Sequence, residues 1–141
     1  MYVRPYCDEF LSRLSEKHEL VIFTASRQDY ADLVIDKIDP EGKYITHRLY
    51  RQHCVVFEDL YIKDLRLLSN RKKEDLIIID NLIYSFALDL ENGIPIKPFY
   101  KGKEDYELIY IAEQIEDLKS FMDCPTYLES KFKFSKFYKY I

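Results

Sequence analysis

Glu19-Leu20-Val21-Ile22-Phe23-Thr24-Ala25-Ser26 decides how the rest of the chain is read. Four apolar residues in a row end on a threonine. Strict alternation would mark a strand with one wet face. A continuous apolar run predicts a strand buried on both faces, as in a parallel sheet covered by helices. A second stretch repeats the pattern: Leu76-Ile77-Ile78-Ile79-Asp80-Asn81 runs apolar and stops on a carboxylate and an amide. Between them, Lys63 stands in Tyr61-Ile62-Lys63-Asp64-Leu65. A hydroxyl, an ammonium and a carboxylate/carboxamide pair, with two of the three at strand ends, suit phosphate and Mg²⁺ chemistry. Sites in α/β sheets form at the carboxyl ends of strands.

The flanking segments fit the same architecture. Pro5 can open a helix, since its missing N–H would be unpaired there anyway, and Phe10, Leu11 and Leu14 then share one face. Ser26 is the predicted cap of a second helix with Tyr30, Leu33, Val34 and Ile38 inward, ended by Asp39-Pro40-Glu41-Gly42. Ile45 to Tyr50 and Cys54 to Phe57 read as small antiparallel strands, making residues 44–62 a β insertion. Leu65, Leu67 and Leu68 mark a short helical turn. Gly93-Ile94-Pro95-Ile96-Lys97-Pro98 is an edge strand or a loop, because two prolines bar a central position. Leu108, Ile111, Ala112, Ile115 and Leu118 define a last helix. Strands alternating with helices mean an α/β domain with a parallel sheet.

The 141 residues suffice for one domain with a real core. A hydrophobic fraction of 48%, with 16% aromatic, excludes a disordered chain. The formal net charge of −4 argues against a protein that coats nucleic acid. Charge is uneven: residues 124–141 carry four lysines against one glutamate, net +3, leaving −7 on the rest. The tail, residues 123–141, is therefore basic and aromatic. Its Lys131-Phe132-Lys133-Phe134 alternation fits an edge strand, a nucleic-acid contact or a docking arm, or a chain end with little structure, which is the preferred reading. Cys7, Cys54 and Cys124 form no CxxC, and with His18, His47 and His53 they have no zinc-finger spacing, so a reducing compartment is expected. No apolar run approaches a membrane span. Cys7-Asp8-Glu9-Phe10-Leu11-Ser12-Arg13 matches a Cys-x5-Arg phosphatase loop only formally. Asp8 and Glu9 would repel a phosphate, and Phe10 and Leu11 are needed in the core.

Several motifs follow in a recognisable order. They are Arg4-Pro5 with Phe10-Leu11, Phe23-Thr24-Ala25-Ser26, Tyr30-Ala31-Asp32, and Ile38-Asp39-Pro40. Next come His47-Arg48-Leu49-Tyr50-Arg51, Tyr61-Ile62-Lys63-Asp64-Leu65, Asp80-Asn81 with Ser85-Phe86, and Glu91-Asn92-Gly93-Ile94-Pro95-Ile96. Together they resemble the FCP/SCP-type protein phosphatases (CTD small phosphatase-like, NLI-interacting-factor-like) of the haloacid dehalogenase (HAD) superfamily. The resemblance runs from about Val3 to Leu118 and defines a homology domain over residues 1–122. It implies a HAD-like Rossmannoid parallel sheet with helices on both faces and a small antiparallel insertion. It also implies Mg²⁺-dependent removal of phosphate from Ser or Thr in proteins, as in the RNA polymerase II tail, through an aspartyl-phosphate.

By that resemblance Thr24 and Lys63 are catalytic: Thr24 hydrogen-bonds the transferring phosphoryl oxygens and Lys63 neutralises them. Arg51 grips the phosphopeptide. Asp80 and Asn81 serve Mg²⁺, the first as ligand or as partner to a ligand. Thr24, Lys63, Asp80 and Asn81 are expected at one end of the sheet. Three positions depart from the family pattern: Tyr6 and Asp59 stand where glycine is usual, and Leu82-Ile83 replaces Ser-Pro. The family's nucleophile sits in an Asp-x-Asp-x-Thr loop, and no Asp-x-Asp occurs in this sequence. The chain is therefore expected to lack the first, central strand, to be inactive alone, and to bind Mg²⁺ weakly. It is also expected to self-associate or to accept a complementing N-terminal segment. The rival reading is a catalytically dead HAD-fold binding module, similar to the receptor subunit of the mitochondrial presequence translocase. The first reading implies a nuclear or cytoplasmic protein, the second a mitochondrial one.

Overall fold

A single buried carboxylate turns the chain after its second helix. Asp39 is almost wholly shielded and accepts three backbone N–H groups, from Lys43 (2.8 Å), Tyr44 (3.0 Å) and Ile45 (2.9 Å). Burial alone would raise its pKa, but the three amides outweigh it and hold the carboxyl below its usual range. The computed structural model describes residues 1–118 and 124–133. They divide into two units, Met1–Cys54 with Phe99–Glu113, and Val55–Pro98 with Gln114–Ile141.

In the first unit, α1 (Cys7–Ser15) buries Leu11 and Leu14, and its acidic first turn and basic last turn complement the helix dipole. Pro5 lies in the turn before it. Tyr6 adopts φ 65° and ψ 15°, the left-handed region, at the helix entry. A glycine would take that conformation without strain, which is the physical reason for the family's glycine where Tyr6 stands. Its ring stacks on Tyr106 at 5.8 Å, and Arg4 makes a two-pronged bond to Asp105 (3.0 and 2.8 Å), tying the N-terminal segment to the approach of the helix α3 (Glu107–Asp117). The strand β1 (Leu20–Phe23) pairs in parallel with β2 (Ile45–Leu49), with an irregularity between Leu20 and Val21. The helix α2 (Gln28–Ile38) crosses between them, packing Ala31 and Ile35 against Ile22, Ile45 and Tyr50.

Four expectations fail in this unit. Ile45–Leu49 is a parallel partner of β1, not part of an antiparallel insertion, because Asp39 redirects the chain alongside β1. The inward face of α2 is Ala31, Val34, Ile35 and Ile38, while Tyr30 and Leu33 stand 59% and 71% exposed. Shifting the helical stripe by one residue exchanged those positions. Ser26 does not cap α2; Arg27 occupies that position without a side-chain bond. The residues of β1 are half-buried, not fully buried. Among the described residues β1 has a strand on one edge alone, and an uncovered edge admits solvent.

In the second unit, β3 (Val55–Phe57) and β4 (Leu60–Ile62) form an antiparallel hairpin, so the expected insertion narrows to Val55–Ile62. Its two-residue turn, Glu58 (φ 46°) and Asp59 (φ 65°), has both centres in positive φ, the pattern of a type I′ turn. The second departure from a family glycine is thus also a left-handed position. A 3₁₀ turn at Leu65–Leu67 is capped by Asp64, which accepts the Arg66 amide at 3.0 Å. The strand β5 (Ile78–Asp80) pairs in parallel with β6 (Gly93–Pro95). Among the described residues β5 too has a strand on one edge alone.

Two 3₁₀ turns spanning Ile83–Asn92 meet at a kink at Phe86 and Asp89. Phe86 is fully buried with Leu65, Ile78 and Leu90. A Cβ at Gly93 would lie 2.1 Å from the Phe86 ring, so that position tolerates only glycine. The Asn92 amide donates to the carbonyls of Lys73 and Leu76 (2.8 and 2.9 Å). α3 buries Ile111, Ala112 and Ile115 on the expected face. Beyond it, Cys124–Phe132 is a helix, α4, with Leu128 fully buried, where a chain end with little structure or an edge strand was expected. A two-residue alternation over four residues is too short to exclude a helix. Residues 134–141 of the basic tail lie outside the described residues. No disulfide joins the three cysteines. No helix of the described residues is long and apolar enough to cross a membrane.

Two outcomes follow from these backbone constraints. Asp59→Gly should stabilise the protein by about 0.5–1 kcal/mol in urea denaturation, while Asp59→Val should destabilise it, since a β-branched residue resists positive φ. Asp39→Ala should cost about 1–3 kcal/mol at neutral pH by stranding three amides. Because the native pKa of Asp39 is lowered, its contribution is fully present above the unfolded carboxyl value of about 3.9 and is lost as pH falls through the lower native value. The gap between wild type and Asp39→Ala should therefore close in strongly acidic buffer.

Candidate active site

Lys63 and Asp80 meet. Lys63 follows β4 directly and Asp80 ends β5, so each is placed by a strand terminus. Their side chains are 12% and 6% exposed, and the Lys63 ammonium donates to Asp80 Oδ2. The second carboxylate oxygen, Oδ1, accepts the Leu82 amide at 2.8 Å. The Asp80 carbonyl accepts the Ile96 amide at 3.1 Å, extending the β5–β6 ladder. The Lys63 amide donates to the Ser85 carbonyl at 2.7 Å. This pair thus fastens the end of β4, the end of β5 and the first 3₁₀ turn after it. Asn81, next in line, is exposed.

A second buried carboxylate lies nearby in the chain. Asp89 is 5% exposed, pairs with Lys73 at 3.0 Å and accepts the Leu65 amide at 3.3 Å. Lys73 also bonds Glu91, which raises the ammonium's pKa. This cluster holds the turn that carries Phe86. The sequence reading did not single it out, because acidic residues in a polar turn look solvated.

Thr24 and Arg51 belong to the first unit and meet there through the loop after β1. The Thr24 amide donates to Leu49 O (2.9 Å), and Thr24 Oγ1 accepts the Ser26 amide (3.0 Å). The hydroxyl oxygen is therefore held in a short turn as the acceptor of a backbone amide. The Arg51 amide donates to Ser26 O (3.1 Å) and its Nε–H to Ala25 O (2.8 Å), which lays the side chain along the same loop. Behind it, Tyr50 is buried and its hydroxyl donates to Asp32 (2.6 Å), while Arg48 bridges Asp32 (2.9 Å) and Asp36 (2.8 Å). The Tyr50 bond, and next the Arg48 bond, hold the Asp32 carboxyl below its ordinary value. The same bond to Asp32 pushes the Tyr50 phenol up.

The expected Mg²⁺ residues supply two oxygen groups, the Asp80 carboxylate, each of whose oxygens accepts one protein donor and keeps further acceptor capacity, and the exposed Asn81 carboxamide; octahedral Mg²⁺ takes further hard oxygens. Among the described residues no three His, Cys, Asp or Glu side chains cluster as metal ligands.

Parallel strand pairs with helices and a lysine–aspartate pair at strand ends define an α/β fold, and its likeness to the Fcp1 phosphatase structure makes it HAD-like. Residues 1–125 match the NLI interacting factor-like phosphatase family, and the chain belongs to that family. It is 41% identical over 114 residues to CTD small phosphatase-like protein 3 of Caenorhabditis elegans, covering 81% of this chain and 39% of that protein. It is 38% identical over 125 residues to a human carboxy-terminal domain RNA polymerase II polypeptide A small phosphatase, covering 89% and 45%. The fission yeast RNA polymerase II CTD phosphatase Fcp1 bound to beryllium fluoride superposes with a TM-score of 0.61 at 27% identity, covering 77% of this chain and 30% of that one. The chain thus spans less than half the length of these relatives. Phosphatases of the HAD type generally use Mg²⁺.

Breaking the buried pair from one side should be costly. Lys63→Met should destabilise the protein by about 3–5 kcal/mol in urea, because a buried carboxylate loses its counter-charge. Adding Asp80→Asn should return more than half of that loss, since the neutral carboxamide still accepts the Leu82 amide.

Proposed function

We propose that this chain is the phosphate-handling part of an FCP/SCP-type protein Ser/Thr phosphatase and that the 141 residues alone do not turn over substrate. The observation that carries the reading is the buried Lys63–Asp80 pair at the ends of β4 and β5. An ammonium held by a buried carboxylate at two strand ends is fixed in position, as a phosphoryl transition state requires. On this reading Lys63 neutralises the phosphoryl oxygens, Thr24 donates its hydroxyl proton to one of them, and Arg51 grips a phosphorylated peptide. Asp80 and Asn81 would supply oxygens to Mg²⁺. None of these groups is a nucleophile toward phosphorus, and the sequence contains no Asp-x-Asp to supply one.

A second reading, a binding module without catalysis, has one observation in its favour. Both oxygens of Asp80 accept protein donors, which suits a structural role as well as a catalytic one.

The pure chain with Mg²⁺ should release no phosphate from a phosphoserine peptide yet bind it more tightly than the unphosphorylated peptide. Adding an apolar peptide that ends in Asp-x-Asp-x-Thr should start turnover if the first reading holds. Binding that persists without turnover would favour the second. Turnover by the chain alone would refute the assigned roles.

A further inference from the structure

The first unit has a shallow, open surface depression of about 540 Å³ lined by the exposed residues Arg27, Gln28, Asp29, Arg51 and Gln52. Two guanidiniums face one carboxylate there, on a chain whose net charge is −4. Arg51 is stiffened by its Nε bond to Ala25 O. Gln52 donates to Gln28 at 3.0 Å, which joins two of the lining side chains. Arg27 makes a 3.2 Å pair with Asp29, but the two side chains are 73% and 70% exposed. Such a solvated pair is weak and easily exchanged, whereas a guanidinium–phosphate fork is charge-assisted and directional.

Resting on the assignment of Arg51 to the phosphopeptide, we propose that Arg27 is a specificity residue that binds a second anionic group on the same peptide, next to the phosphate held by Arg51. The depression then favours peptides with paired negative charges over singly phosphorylated ones with neutral neighbours. Asp29 opposes this by competing for Arg27, which limits the preference. A second phosphate and an adjacent glutamate both supply the required charge. The phosphate should bind better, because it carries more charge and three acceptor oxygens.

The test is fluorescence anisotropy with the full 141-residue chain and four synthetic peptides of one sequence: unphosphorylated, singly phosphorylated, doubly phosphorylated, and singly phosphorylated with a neighbouring glutamate. The doubly phosphorylated peptide should bind about fivefold more tightly than the singly phosphorylated one, with the glutamate peptide between them. Arg27→Ala should abolish that gap and leave singly phosphorylated binding within about twofold, as expected for one exposed ion pair. Asp29→Asn should widen the gap, and added salt should narrow it. Arg51→Ala should weaken both phosphopeptides. Equal affinity for one and two phosphates, or a gap that survives Arg27→Ala, would overturn the role of Arg27 and leave the phosphatase reading standing. Failure to distinguish any phosphopeptide from the unphosphorylated one would overturn both.

Discussion

A lysine ammonium taken out of water has to be answered by a carboxylate, and in this protein Lys63 and Asp80 answer each other. The pair is held by backbone on every side. The Lys63 amide bonds Ser85 O, Asp80 Oδ1 accepts Leu82 N, and the Asp80 carbonyl continues the ladder to Ile96. The end of β4, the end of β5 and the first 3₁₀ turn are thereby fastened at one point. The apolar packing of Phe86 on Ile78, Leu65 and Leu90 then closes around a polar anchor that cannot move independently.

The first unit solves a similar problem with a different device. Its parallel pair needs a crossover, and α2 provides it, but the return of the chain into β2 is set by Asp39 and three amides. Arg48, at the far end of β2, reaches back to Asp32 and Asp36 on α2, so helix and strand are joined both through the core and over the surface. The loop after β1 inherits its shape from this frame. Thr24 and Arg51 meet because β1 and β2 end side by side and Arg51 follows β2 by two residues.

Two departures from the family pattern acquire a physical meaning. Tyr6 and Asp59 both occupy left-handed backbone where glycine carries no steric penalty. Tyr6 offsets its strain with the stack on Tyr106, whereas the Glu58–Asp59 turn has no such compensation among the described contacts. The protein therefore carries small, local costs at a helix entry and a hairpin tip.

By itself the sequence determined the fold class, the two strand ends, the residue types at the site and the family, because continuous apolar runs and their polar stops are local facts of composition. It also marked Tyr6 and Asp59 as unusual without saying why. Tertiary structure decided the rest. Whether Ile45–Leu49 pairs in parallel or antiparallel depends on Asp39, a contact that alternation cannot encode. The inward stripe of α2 depends on the strand beneath it, since one residue of rotation moves Leu33 from core to solvent. Cys124–Phe132 is a helix that buries Leu128, a tertiary contact the local sequence does not announce. Arg27 gained interest only when folding set it beside Arg51, because an arginine 24 residues earlier in the chain reads as one more solvated charge until the two line one surface depression.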